Sequence, residues 1–163
     1  MKEPAPKPAP SPVSVKKVAE ELDLLPGETL WRAYLNPRTG ETYTVTDEDR
    51  AAIEDPDDRL IPDWQREQLP KVREVLESGD WIALPSKYDL HEYGIMKSFC
   101  LEIDNEERRA DLLDAISGRG AFRSFKNLIH RYGIQQRWYD YRAREIERFV
   151  ADWLEEKGIA YER

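Results

Sequence analysis

Residues 118–144, GRGAFRSFKNLIHRYGIQQRWYDYRAR, hold seven Arg or Lys residues and one acid, Asp140. That is a net of +6 in a chain of formal net charge −8, so the remainder carries −14. On a helix beginning near Ala121, the residues Arg123, Lys126 and His130 fall along one side with Asn127 close by, while Phe122, Phe125 and Ile129 gather on another. The aromatic side is the expected core, and the basic side is available to an anion. Arg119 lies between Gly118 and Gly120 just ahead of this helix, where free backbone N–H groups and the helix dipole favour a carboxylate or a phosphate. The same bases could instead be neutralised by Glu102, Asp104, Glu106, Glu107, Asp111 and Asp114, in exposed pairs worth about 0–1 kcal/mol each. Arg142 poses a sharper problem. Trp138, Ile146, Phe149 and Trp153 surround its direction on the last helix, which sets a guanidinium in the middle of an apolar face. Such a charge is costly unless matched, and three partners are open: an acid of another helix, the ring of Trp138 or Tyr139, or a ligand.

Other chemistries find no support in residue type and spacing. A zinc or iron site needs several converging ligands, and the chain offers one cysteine with His91 and His130. His91-Glu92 opens like a metalloprotease helix, but Ile95 stands where the second histidine belongs. GRGAFR begins like a dinucleotide fingerprint, yet Arg123 holds the third glycine position and a helix precedes it where a strand is required. Neither a phosphate-binding loop of the G-x-x-x-x-G-K type nor a G-x-S-x-G nucleophile turn occurs. The acidic loop DPDD at 55–58 lacks the ligand spacing of a calcium-binding helix pair. Cys100, between Phe99 and Leu101, reads as a small core residue and not as a nucleophile, because nothing near it in sequence would lower its pKa.

These residues need a scaffold, and the hydrophobic periodicity supplies one. Ser14 caps a helix over 14–24 that ends at Gly27, with Val15, Val18, Leu22 and Leu25 in helical spacing. VKKVAEELDL resembles the first helix of a helix-turn-helix, but TLWRAYLNPRTGETYTVT follows where a recognition helix would be needed. That segment predicts antiparallel strands at about 29–35 and 41–45, turned at Asn36–Gly40 by Pro37 and a positive φ at Gly40. Thr46 and Asp49 cap a short helix, and residues 64–78 form another in which Pro70 marks a kink or a new first turn. WIALP at 81–85 is a third strand. Asp89 and Glu92 form a D-x-x-E start for a helix over 90–103 with Ile95, Met96, Phe99 and Ile103 on one face. Asn105 caps the next helix, buried through Leu112, Leu113 and Ile116, and the basic stretch provides helices near 121–131 and 134–157.

The predicted class is α+β, mostly helical, with a small antiparallel sheet. At 163 residues the chain suits one domain, taken as residues 13–163, and its 36% charged content accompanies enough apolar material for a core. Residues 1–12, MKEPAPKPAPSP, carry five prolines and no large aliphatic residue after Met1, and are expected to be a disordered tail. No apolar run approaches the length needed to span a bilayer and no secretory signal opens the chain, so a cytoplasmic location without membrane contact is the expectation.

GRGAFRSFK at 118–126, RWYDYR at 137–142 and WLEEKGI at 153–159 resemble the bacterial uncharacterised protein family 0158. The amino-terminal helix and the YLNPRTGETY hairpin resemble that family's opening as well. The positions that match its motif are Gly118, Gly120, Phe122, Phe125, Lys126, Trp138, Tyr139 and Arg142, with Tyr141 in place of an expected Phe. The resemblance implies no established activity, cofactor or catalytic residue. What the residues themselves favour is a non-enzymatic binding or regulatory module. Its surface of Arg119, Arg123, Lys126, His130, Trp138, Tyr139 and Arg142 would receive an acidic protein or a phosphorylated small molecule, with no cofactor and no metal. Nucleic acid is an alternative through the basic, aromatic 118–144 stretch, disfavoured by the net charge. An enzyme built on Arg142, His130 and an unidentified carboxylate is another.

Overall fold

The computed structural model describes residues 11–26 and 30–163. The expectations for residues 1–10, for the helix stop at Gly27 and for a strand reaching Thr29 lie outside the described residues. The class is α+β, and the chain forms two compact units: one takes residues up to Lys87 together with Val150–Arg163, the other takes Tyr88–Phe149.

In the first unit, β1 (Val13–Ser14) runs directly into α1 (Val15–Leu24). The Ser14 hydroxyl accepts the Lys17 N–H at 3.3 Å, and Val15, Val18, Ala19 and Leu22 are buried, as helical spacing requires. β2 (Arg32–Leu35) and β3 (Thr42–Val45) pair antiparallel from Arg32↔Val45 to Leu35↔Thr42. Their turn closes through the Gly40 N–H on the Asn36 carbonyl at 2.9 Å, and Gly40 has the positive φ, 76°, that the spacing demands. α2 (Asp47–Glu54) carries both halves of the Thr46–Asp49 capping box. α3 (Asp63–Glu77) continues through Pro70, and β4 (Ile82–Ala83) joins the free edge of β2 to give the order β3-β2-β4. Val45, Val72, Val75 and Trp81 form a core here. A parallel pairing of β1 with β5 (Tyr161–Glu162) had no signal in the sequence, because two-residue strands show no alternation.

α4 (Lys87–Leu90) begins at the last residue before the second unit, which contains the remainder of that helix with α5 (Glu92–Leu101), α6 (Glu106–Ala115) and α7 (Ala121–Arg131). To these it adds the first part of α8 (Gln135–Glu156). The expected single helix over 90–103 is corrected. Asp89 lies within α4, and His91 at φ 53°, ψ 59° separates that helix from α5, which starts at Glu92 without a side-chain cap. Left-handed backbone at a residue with a Cβ costs about 1–2 kcal/mol and persists only where surrounding packing fixes it. Asn105 does cap α6, accepting the Arg108 N–H at 3.0 Å. Met96, Phe99, Cys100, Ile103, Leu112, Ile116, Phe125, Ile129, Trp138 and Tyr141 make a continuous core. Phe99 meets Phe125 edge-on at 6.0 Å and Trp138 at 5.3 Å between ring centroids, offsets that suit the ring quadrupoles. Cys100 is fully buried, and burial pushes its thiol pKa up to about 11, so the thiol is a core group.

Candidate functional site

α7 starts after Gly120, which adopts φ 69°, a backbone that residues with a Cβ resist. From there Phe122 and Lys126, one helical turn apart, project on the same side. Trp138, Tyr139 and Arg142 do the same on α8, again one turn from first to last. With Glu92, the first residue of α5, these six line a cleft of about 270 Å3. Trp138 is its buried member, with its ring centroid 4.9 Å from that of Phe125. Phe122 and Tyr139 are 47% and 55% exposed. The Arg142 Nη2 donates to Glu92 Oε1, and the two side chains keep 21% and 32% of their surface accessible to water.

Of the seven residues singled out from sequence, four come together in this cleft: Lys126, Trp138, Tyr139 and Arg142. Arg119, Arg123 and His130 are exposed and do not line it. The His130 ring meets the side-chain amide of Gln135 and does not join Arg142. Phe122 corrects the expectation that it packs in the core, since it is half exposed while Phe125 and Ile129 are buried. On an amphipathic helix the apolar stripe is wider than the face one neighbour can cover, and Phe122 lies at its edge. Glu92 went unrecognised because its position fitted a capping pattern, and the 50 residues to Arg142 conceal the pairing.

The acids once set against the basic stripe are engaged elsewhere or stand free of it. Among the described residues no ion pair holds Arg119, Arg123 or Lys126. Asp111 accepts the Tyr132 hydroxyl at 2.7 Å, and that hydrogen bond holds the Tyr132 pKa above its ordinary value. The Arg109 guanidinium donates to the Ile103 carbonyl at 2.9 Å. No group of three or more metal-ligating side chains converges among the described residues, and none of their helices is long and apolar enough to cross a membrane.

A larger groove, about 520 Å3, belongs to the first unit and is lined by the hairpin turn with Glu41, Glu74, Gly79 and Asp80. Lys71 reaches both Glu41, at 2.9 Å, and Glu74, at 3.1 Å, and its ammonium lies 4.8 Å from the Trp81 ring. Burial is the largest single influence on Lys71 and works against its charge, but the hydrogen bonds it donates to Glu41 and Glu74, together with the charges of those carboxylates, outweigh it and hold its pKa above the ordinary lysine value.

Known proteins place the chain by sequence. The model of an uncharacterised protein family, UPF0158, matches residues 61–162, from just before α3 to β5, so that α1 and the β2–β3 hairpin lie outside the match. The UPF0158 protein PA5073 of Pseudomonas aeruginosa is 31% identical over 67 residues, which are 40% of this chain and 44% of that protein. The match therefore spans less than half of the relative's length. No solved structure matches the chain. Because the family model takes in well over half of the sequence and every residue of the cleft, the chain belongs to the uncharacterised protein family UPF0158.

Proposed function

We propose that the chain is a non-enzymatic binding module whose recognition surface is the cleft of α5, α7 and α8 with its basic surroundings, and that its partner is an acidic segment of another protein. One observation carries this reading: Lys126 and Arg142 share the cleft with a single carboxylate, Glu92, while Arg119 and Arg123 nearby in sequence are exposed and without ion pairs. The positive excess attracts acids in a chain that is otherwise strongly negative. Size supports a macromolecular partner over a metabolite. At about 270 Å3 the cleft falls below the roughly 300–1,000 Å3 of small-molecule sites and suits one side chain of a longer ligand. Phe122 and Tyr139, exposed beside the cations, offer the aromatic contact area that dominates protein interfaces. His130, the base nominated for a catalytic reading, lies outside the cleft.

Fluorescence polarisation with a labelled oligoglutamate peptide tests the proposal. Binding is expected to weaken as salt rises and to fall about tenfold or more, some 1.4 kcal/mol, in Lys126→Ala and in the Phe122→Ala, Tyr139→Ala double variant. Binding that these variants leave unchanged would overturn it, as would binding of single-stranded RNA with no binding of the peptide.

A further inference from the structure

The first unit presents two apolar side chains to water on an acidic loop. Leu60, in the loop before α3, and Trp64, in the first turn of α3, are 87% and 61% exposed. The segment that carries them, DPDDRLIPDWQRE at 55–67, holds five acids and two bases, a net of −3. Among the described residues none of those five carboxylates belongs to an ion pair. The loop is nonetheless braced from within. The Arg66 guanidinium donates to the carbonyls of Pro56, at 2.9 Å, and Asp58, at 2.6 Å. The Asp58 carboxylate accepts the Leu60 N–H at 2.9 Å, and the Asp58 carbonyl accepts that of Ile61 at 3.2 Å. A single exposed leucine or tryptophan would be ordinary. Two of them four residues apart on a braced loop form a docking element that has already lost the freedom a mobile segment gives up on binding.

We infer that the acidic segment received by the cleft belongs to a second copy of this chain, with Trp64 of one copy entering the cleft of another. This rests on the binding-module reading and names its partner. The complementarity lies within one sequence. A cleft of about 270 Å3 takes one side chain, and Phe122, Trp138 and Tyr139 offer aromatic faces to an indole. Around it, Asp57, Asp63 and Glu67 bring negative charge to Lys126 and to the exposed Arg119 and Arg123, within a stretch that carries +6. Leu60 packs at the rim, and the contact asks nothing of the Arg142–Glu92 pair, which stays as it is. Because the loop and the cleft are different patches, each copy offers one of each. Such a contact is heterologous, and it continues from copy to copy unless it closes on itself.

Sedimentation velocity of the full chain over a concentration series tests the inference. The mass is expected to rise with concentration, and the association to weaken as salt rises. Two double variants, Leu60→Ala with Trp64→Ala and Phe122→Ala with Tyr139→Ala, change exposed side chains and should keep the parent melting temperature. Each should weaken association about tenfold or more. If the second melts lower than the parent, Lys126→Glu takes its place. Mixing the two decides the matter. One keeps the cleft without the docking element and the other keeps the element without the cleft, so an equimolar mixture should form a one-to-one pair and grow no further, while neither variant associates alone. A mixture that does not pair would overturn the inference, as would association that both variants leave unchanged. A parent chain that stays monomeric at every concentration but binds oligoglutamate would overturn it too, and would leave the binding-module reading standing with an acidic segment of a different protein as partner. If the parent binds neither itself nor oligoglutamate, both fall.

Discussion

Lys71 and Arg142 are built from the same parts and come to opposite electrostatic ends. Each is a partly buried cation close to a tryptophan, Lys71 against Trp81 and Arg142 in the cleft that Trp138 helps to line, and each meets a carboxylate. Around Lys71 the carboxylates outnumber the cation, with Glu41 and Glu74 both within 3.1 Å. Among the described residues that line the cleft of Arg142 the balance reverses, with Lys126 and Arg142 against Glu92. The lining of the larger groove is thus in negative excess, Glu41, Glu74 and Asp80 against Arg38 with Lys71 beside them, and that of the smaller cleft is in positive excess. What separates the two sites is the sign of the charge in excess, which attracts acids to the second and repels them from the first.

The two tryptophans give the largest expected effects. Trp138→Ala removes a ring packed against Phe99, Phe125 and Tyr141, and should cost about 3–5 kcal/mol in urea denaturation together with all peptide binding. Trp81→Ala opens a cavity beside Val45, Val72 and Val75 and should fall towards the lower end of the same range. Part of its cost is offset because the Trp81 indole N–H is buried without a hydrogen-bond partner among the described residues. If the first-unit substitution also abolished peptide binding, the assignment of recognition to the α5, α7 and α8 cleft would be wrong.

How much of this was legible in the sequence follows the range of each interaction. Ser14, Thr46 with Asp49, Asn105 and the Asn36–Gly40 turn act within four residues, and each signal is realised in the structure. Cys100 and the apolar faces of α5 to α7 were equally readable, because helical period fixes them. The D-x-x-E at Asp89 did not open the expected helix, because His91 takes a left-handed backbone that local propensity disfavours and the helix divides there. Phe122 failed for a related reason: periodicity gives the direction of a side chain but not whether a neighbour covers it. The Arg142 environment was legible as an unsolved charge, and its partner was not, since no local rule links position 142 to position 92.

Removing the cations themselves sharpens the contrast at smaller magnitude. Arg142→Met leaves Glu92 partly buried beside aromatic rings and should cost about 1–3 kcal/mol, with loss of peptide binding. Lys71→Met leaves Glu41 and Glu74 without their shared partner. Both carboxylates are half exposed, so water screens most of the penalty and the cost should stay near 1 kcal/mol, with peptide affinity unchanged. Equal losses of binding in the two variants would mean that the peptide senses overall charge and not a site.

The smallest effect lies in the pH dependence, and it separates the two cations by chemistry. The Lys71 pKa is raised above 10.5 in the folded chain by Glu41 and Glu74, against the opposing effect of burial. A cation whose pKa is raised on folding adds stability that is fully present below its unfolded value and fades as pH rises through the folded value. The stability difference between the parent chain and Lys71→Met should therefore be constant at neutral pH and shrink above pH 10.5. Arginine keeps its charge across that window, so the difference between the parent and Arg142→Met should show no such decline. Urea denaturation of the three chains, stepped from neutral to alkaline pH, reads both curves. A Lys71 difference that stays flat would show that its ion cluster contributes nothing to folding, and the groove of the first unit would then owe its stability to Trp81 and the valines packed with it.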